Sequence, residues 1–267
     1  MSNIMTLDKL KKLHINFNNI RELNHFIHMY SLKIKSVGKE YDALFFGKKE
    51  EKTDSDPWMY SVNKHGYRGR NWSMNRNVVA FFGCSITFGI GVEQDLASVV
   101  QKKINTECIN MGQPGASALT VLKTLYTFLK YYPVDTAVIT LPSLRRVYYP
   151  RYENYNNGRW NYQSLLPNWM NDNQKDIHET AFKFFNEDTC AAYLYDYIQM
   201  AKTVAAISNT RIIWSSWDRE TLDFLKSIVD DQEPLPVGDL SVDIARDNLH
   251  PGPKFVENWS NIIIEKL

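Results

Sequence analysis

Three side chains of this protein have the types and spacing for nucleophilic acyl transfer. Ser85 follows an apolar run, 78–82, that stops at Gly83, and Gly89 and Gly91 free the backbone beyond it. Far downstream, Asp247 and His250 stand three positions apart. A serine hydroxyl is a weak nucleophile until a base removes its proton. A neutral imidazole, with an ordinary pKa of roughly 6.5, can do this near neutral pH. A carboxylate on the other ring nitrogen fixes the tautomer and steadies the imidazolium. Asp247 and His250 can make that pair within one tight turn. Pro251, Gly252 and Pro253 follow, then a helical pattern of Phe255, Trp259, Ile262 and Ile263. His250 is therefore expected on a loop just ahead of a helix.

Other chemistries fit these residues less well. A Gly-x-Ser-x-Gly elbow needs glycine on both flanks, and Thr87 occupies the second. The glycines from Gly83 to Gly91 have no following lysine and do not match Gly-x-Gly-x-x-Gly, which argues against nucleotide binding. His14, His25, His28, His65 and His178 have no such partners in the sequence and are expected to be ordinary surface or core residues. Cys84, Cys108 and Cys190 are scattered, so neither zinc nor a disulfide framework is indicated. Cys84 is expected beside the nucleophile and Cys108 buried on a strand. No cofactor is expected.

The elements that must position these side chains alternate. Apolar runs predict strands at 78–82, 107–110, 135–141 and 211–215. Helical patterns fall at 95–104, 117–131, 189–207, 218–229 and 252–266, with Ser117 and Asp218 as N-caps. Such alternation predicts an α/β fold: a three-layer α/β/α sandwich around a central, mostly parallel sheet. Ligands of such sheets bind beyond the carboxyl ends of the strands. Ser85, Gly115, Ser143 and Trp217 all fall just past expected strand ends.

With that order in place, the motifs resemble the SGNH, or GDSL, hydrolase family. Gly83-Cys84-Ser85-Ile86-Thr87-Phe88-Gly89 is similar to its first block, Gly-Asp-Ser-x-Thr-x-Gly, with Cys84 in place of the aspartate. Ile109-Asn110-Met111-Gly112-Gln113-Pro114-Gly115-Ala116-Ser117 is similar to the second block, and Asp247-Asn248-Leu249-His250 to the last, Asp-x-x-His. Asn63-Lys64-His65-Gly66-Tyr67-Arg68-Gly69 looks like a segment found ahead of the serine block in some bacterial members. The third block, Gly-x-Asn-Asp, is missing; its expected place reads Leu141-Pro142-Ser143-Leu144. The resemblance covers about 57–267 and implies a flavodoxin-like SGNH fold with Ser85, Asp247 and His250 as catalytic triad. It also implies that the N–H groups of Ser85 and Gly115 form the oxyanion hole. The missing asparagine leaves a third donor open, to be filled by Ser143 or a nearby arginine.

Residues 1–56 are a polar, lysine-rich extension with a helical hint, outside the resemblance. An aromatic insertion at about 144–188 carries Tyr148, Tyr149, Tyr152, Tyr155, Trp160, Tyr162 and Trp169 with no clear period of 2 or 3.6. A long aromatic loop beside a site suits sugar rings or a lid. Arg145, Tyr148 and Trp217 are the candidate substrate-binding residues.

Composition bounds the function. The chain has 267 residues, 44% hydrophobic and 23% charged, enough for a sizeable core. A formal net charge of +1 offers no basic field for nucleic acid. There is no apolar run long enough for a membrane span and no apolar secretion signal at the N-terminus, so a cytoplasmic protein is expected. The oligomeric state is not legible. The expected activity is that of a serine esterase removing a short acyl group, such as O-acetyl, from a carbohydrate-like small-molecule or glycan ester. An acyltransferase would use the same residues. A non-catalytic carbohydrate-binding protein is the alternative of a different class.

Overall fold

The structure is a computed structural model that describes residues 40–42, 59–61, 63, 67–73, 77–132, 134–153, 159–165, 186–229 and 233–267. Its centre is a five-stranded sheet in the order β4-β3-β5-β8-β9. These strands are β3 (Val79–Gly83), β4 (Cys108–Gly112), β5 (Thr136–Leu141), β8 (Arg211–Ser216) and β9 (Leu235–Pro236). Every pairing among them is parallel. Two antiparallel pairs lie outside this sheet: β1 (Glu40–Asp42) with β2 (Met59–Ser61), and β6 (Val147–Glu153) with β7 (Arg159–Leu165). The helices are α1 (Ser85–Phe88), α2 (Leu96–Ile104), α3 (Ala118–Tyr131), α4 (Glu187–Ile207), α5 (Arg219–Ile228) and α6 (Pro253–Ile264).

The strands are apolar on both faces because both faces are covered. Along β3, Ala80 and Phe82 enter one core while Val79 and Phe81 enter the other. The first core receives Val121, Leu122, Leu125 and Phe128 of α3 and Leu194, Ile198, Ala201 and Ala205 of α4, each set at helical spacing. The second receives Leu96, Ala97 and Val100 of α2 and Phe255, Val256, Trp259 and Ile263 of α6. The result is three layers, α/β/α, as the alternating pattern implies. The helix starts are also where short polar side chains placed them. Ser117 accepts from Thr120 N, Asp218 from Thr221 N and Asp95 from Ser98 N.

Four features differ from the sequence expectation. The four-residue helix α1 and the two-residue strand β9 are too short to leave a periodic signal. Cys108 opens β4 and is half-buried rather than fully buried. Burial first, then the charges of Asp95 and Glu107, push its thiol up to about 12. Part of the aromatic insertion is regular: β6 and β7 pair antiparallel, with Tyr148, Pro150 and Tyr152 in register with Ser164, Tyr162 and Trp160. Pro150 lacks a backbone donor, and a pair made only of edge strands tolerates that. Tyr155, Trp169 and most of residues 1–56 lie outside the described residues. Among the described residues no helix is long and apolar enough to cross a membrane.

The layering carries a stability test. Leu125→Ala empties part of the first core and should cost about 2–5 kcal/mol; Ile263→Val in the second should cost about 0.5–1.5 kcal/mol. Because the sheet separates them, the double variant should lose the sum to within about 0.5 kcal/mol. Denaturant unfolding checks this, and a larger coupling would contradict two separate cores.

Candidate active site

The strand order reverses at β3, with β4 on one side and β5 on the other. In open parallel sheets the crevice for a ligand opens at such a switch point, beyond the carboxyl ends. Ser85 begins α1 at that point. The chain can turn there only because two glycines yield space. A Cβ on Gly83 would lie 1.9 Å from Thr87 Oγ1, and one on Gly112 would lie 2.2 Å from Phe88 N. Asn110 then binds α1 to β4: its Nδ2 donates to Thr87 O at 3.0 Å and Phe88 O at 3.3 Å, while its Oδ1 accepts from Gly112 N at 2.8 Å. Ser85 is half-buried, and Cys84 before it is wholly buried in the core.

The loop after α1 runs directly to the acidic end of the candidate triad. Gly89 and Gly91 take left-handed φ values of 79° and 74°. A Cβ on Gly91 would lie 3.1 Å from Asp247 Oδ1 and 2.8 Å from the Ala245 Cβ. Arg246 N donates to Gly91 O at 3.3 Å. Ser85 and Asp247, 162 positions apart in the chain, are thus joined through a six-residue step and one packed contact.

Asp247 and His250 sit at the tip of a closed loop. A bridge pairs Ile244 with Pro251, and Ala245 N donates to His250 O at 2.8 Å. Asn248 supplies the left-handed turn, φ 59°. Asp247 Oδ2 bonds His250 Nδ1, and its Oδ1 accepts from His250 N at 3.0 Å and Leu249 N at 3.1 Å. The loop is fixed at its base as well. Gly252, the N-cap of α6, has no side chain to offer, and Asp243 accepts from Lys254 N at 2.8 Å and Phe255 N at 2.9 Å instead. The Asp247 side chain is fully buried, whereas that of His250 is 21% exposed. Burial, the largest single influence, pushes the Asp247 carboxyl up. The hydrogen bonds from the His250 ring and backbone, the His250 charge and the Leu249 N–H together outweigh it and hold Asp247 below the usual carboxylate value.

The second side of the crevice is a turn after β4. Gln113 N donates to Gly83 O at 2.9 Å, Ala116 N to Gln113 O at 3.1 Å, and Gly115 between them has φ 75°. Neither the Ser85 N–H, at the first position of α1, nor the Gly115 N–H donates to a described protein group. Ser143 is buried past the end of β5; its Oγ accepts from Arg145 N at 3.3 Å and its carbonyl from Arg146 N at 2.9 Å.

The candidate substrate residues divide. Arg145 forms a two-point pair with Glu220, Nε to Oε2 at 2.9 Å and Nη2 to Oε1 at 2.9 Å. Trp217 is half-buried under the Arg146 guanidinium, 5.7 Å from its ring centroid, and Arg146 Nη1 donates to Ala116 O at 3.0 Å. Tyr148 lies on β6, with its side chain outside the described residues. The structure therefore brings Asp247 and His250 into contact and packs the Ser85 loop against them. It forms no hydrogen bond between Ser85 Oγ and His250; the contact that Ser85 Oγ makes is with Cys84 Sγ at 3.9 Å. Such catalytic bonds are often long before a ligand binds. Asp243 was missed, though a helix opening on Gly252-Pro253 without a capping side chain signals an acceptor from elsewhere.

A family model described as a domain of unknown function (DUF6473) matches residues 45–141. No curated protein matches the chain. Among solved structures it is similar to an acetyl xylan esterase from the rumen bacterium Butyrivibrio proteoclasticus, with 14% identity over 80% of this chain and 67% of that one, and a TM-score of 0.45. It is similar to a member of the lipolytic protein G-D-S-L family from Veillonella parvula, with 14% identity over 71% and 97% of the two chains and a TM-score of 0.42. It is also similar to a family 3 carbohydrate esterase from Clostridium thermocellum, with 11% identity over 72% and 94% and a TM-score of 0.41.

Proposed function

We propose that this protein is a serine esterase that removes a short acyl group, such as O-acetyl, from a carbohydrate-like ester. The observation that carries this reading is the buried Asp247 carboxylate, bonded to a partly exposed His250 and packed against the loop that follows Ser85. A buried acid behind a solvent-reaching imidazole is the polarity that a general base needs. Ser85, directly past β3 at the strand-order switch, supports a ligand site there.

In this reading Ser85 Oγ attacks the ester carbonyl as His250 takes its proton. Asp247 holds the ring and stabilises the imidazolium. The tetrahedral oxyanion rests on the N–H groups of Ser85 and Gly115. Collapse expels the alcohol, which receives the proton from His250, and water then releases the acyl group by the same steps. Ser143 is the proposed third donor, through the hydroxyl hydrogen, in place of the missing asparagine. Arg145, Trp217 and Tyr148 are the proposed substrate contacts. An acyltransferase would share every step but the last, and product analysis with and without a sugar acceptor separates the two.

Hydrolysis of p-nitrophenyl esters of graded chain length and of acetylated sugars tests the reading. Ser85→Ala and His250→Ala should each remove nearly all turnover in folded protein, and the double variant should lose little more, because triad members act as a unit. A Ser85→Ala protein with wild-type turnover would exclude the mechanism. Ser143→Ala should lower kcat more than it raises KM, by up to about 100-fold, as a donor to the transition state does; unchanged kinetics would remove Ser143 from the site.

Asp247 also couples the site to acid stability. Its carboxyl ionises at lower pH in the fold than in the unfolded chain, where the ordinary value is roughly 3.9. Its contribution is therefore whole above about pH 4 and drains away as pH falls through the folded value. Unfolding midpoints measured across this range should fall less steeply in Asp247→Asn than in the wild type. Equal slopes would show that the carboxylate is not held by its partners.

A further inference from the structure

Asn63, Tyr67 and Arg68 have no part in the proposed chemistry, yet all three are buried, each 5% exposed or less. Asn63 and Tyr67 are bonded to each other twice, with Asn63 N donating to Tyr67 O at 2.8 Å and Tyr67 N to Asn63 Oδ1 at 3.2 Å. The two side chains that follow reach in different directions.

Arg68 reaches the loop after Ser85. Nη1 donates to Phe88 O at 3.2 Å and to Gly89 O; Nη2 donates to Val92 O at 2.7 Å and Glu93 O at 2.7 Å. Nε lies 3.4 Å from Asp95 Oδ2, itself buried, and the guanidinium lies 5.7 Å from the Phe88 ring centroid. This loop leaves α1 through left-handed positions at Gly89 and Gly91, so it lacks a regular ladder for its carbonyls. One planar five-donor group supplies four of them at once. Tyr67 reaches the other side of the crevice. Its hydroxyl accepts from Gln113 Nε2 at 3.3 Å, and Gln113 Nε2 also donates to Thr124 Oγ1 at 2.8 Å. Gln113 opens the turn that holds Gly115.

We propose that Tyr67 and Arg68 are positioning residues that fix the two halves of the oxyanion hole relative to each other, Arg68 through the loop after Ser85 and Tyr67 through the turn carrying Gly115. The proposal rests on the esterase reading for its kinetic consequence and on geometry alone for its structural one. Neither residue touches the reacting atoms.

The test uses Arg68→Lys, which keeps the charge but cannot span four carbonyls, and Tyr67→Phe, which removes only the hydroxyl. Both are read on the full chain after confirming cooperative unfolding. With p-nitrophenyl acetate, each should lower kcat about 10- to 100-fold with KM within about twofold of wild type, the result expected when catalytic groups are displaced without loss of ground-state binding. Hydrogen exchange gives a readout independent of activity. Arg68→Lys should speed exchange at the bonded amides of Gly89, Ile90 and Val92, and Tyr67→Phe at those of Gln113 and Ala116, each leaving the other set unchanged. A purely structural role would lower the unfolding temperature and leave kcat of the folded protein at the wild-type value. Exchange unchanged at both loops, or accelerated evenly across the protein, overturns the proposal. A wild-type protein without turnover overturns the esterase reading instead, and exchange alone then decides whether the two residues hold the loops.

Discussion

At Gly112 there is room for a hydrogen and nothing larger, because Phe88 N of α1 lies 2.2 Å from where a Cβ would stand. This approach of a helix backbone to a strand end sets the position of Ser85. The register places Gly112 beside Gly83, so both strands lose their side chains at the same level and α1 settles on the gap. A four-residue helix is far below the length at which a helix holds itself together. What holds α1 is tertiary: Asn110 and Arg68 take carbonyls at its C-terminal end that a longer helix would have bonded internally. Alanine at Gly112 would therefore not merely crowd a core. It would move the serine.

The same end of the sheet gathers the buried charge. Arg68, Asp95 and Asp247 are each 5% exposed or less. A buried ion costs several kcal/mol unless partners compensate it, and breaking a compensated pair typically costs about 3–5 kcal/mol. Each of these groups is compensated, Arg68 by four carbonyls and Asp95, and Asp247 by His250 and two backbone N–H groups. The far end and the two faces of the sheet rely on apolar packing of Phe82, Phe128, Trp259 and their neighbours. Stability thus comes mainly from the layers, while the polar groups hold a geometry that the layers alone would leave loose.

Much of the architecture was legible because two of the helices announce themselves twice. Ser117 and Asp218 cap helices whose apolar positions then recur at helical spacing, and both signals come from neighbouring residues. Apolar runs without alternation marked strands buried on both sides. The elements that escaped are those whose cause lies elsewhere in the chain. Helix α1 depends on Asn110 and Arg68, β9 on two residues pairing with β8, and the β6–β7 pair on a cross-strand register that no local period reports. Asp247 and His250 were legible because their bond is local, three positions long. Their packing against the loop after Ser85 was not legible, since the Gly91 contact that carries it spans the whole fold.

The most direct test of the account is covalent. The wild-type protein, treated with an alkyl fluorophosphonate and digested, should show one modified peptide containing Ser85, and the modification should fall away in His250→Ala. No modification, or modification spread over other serines, would contradict an activated nucleophile at Ser85.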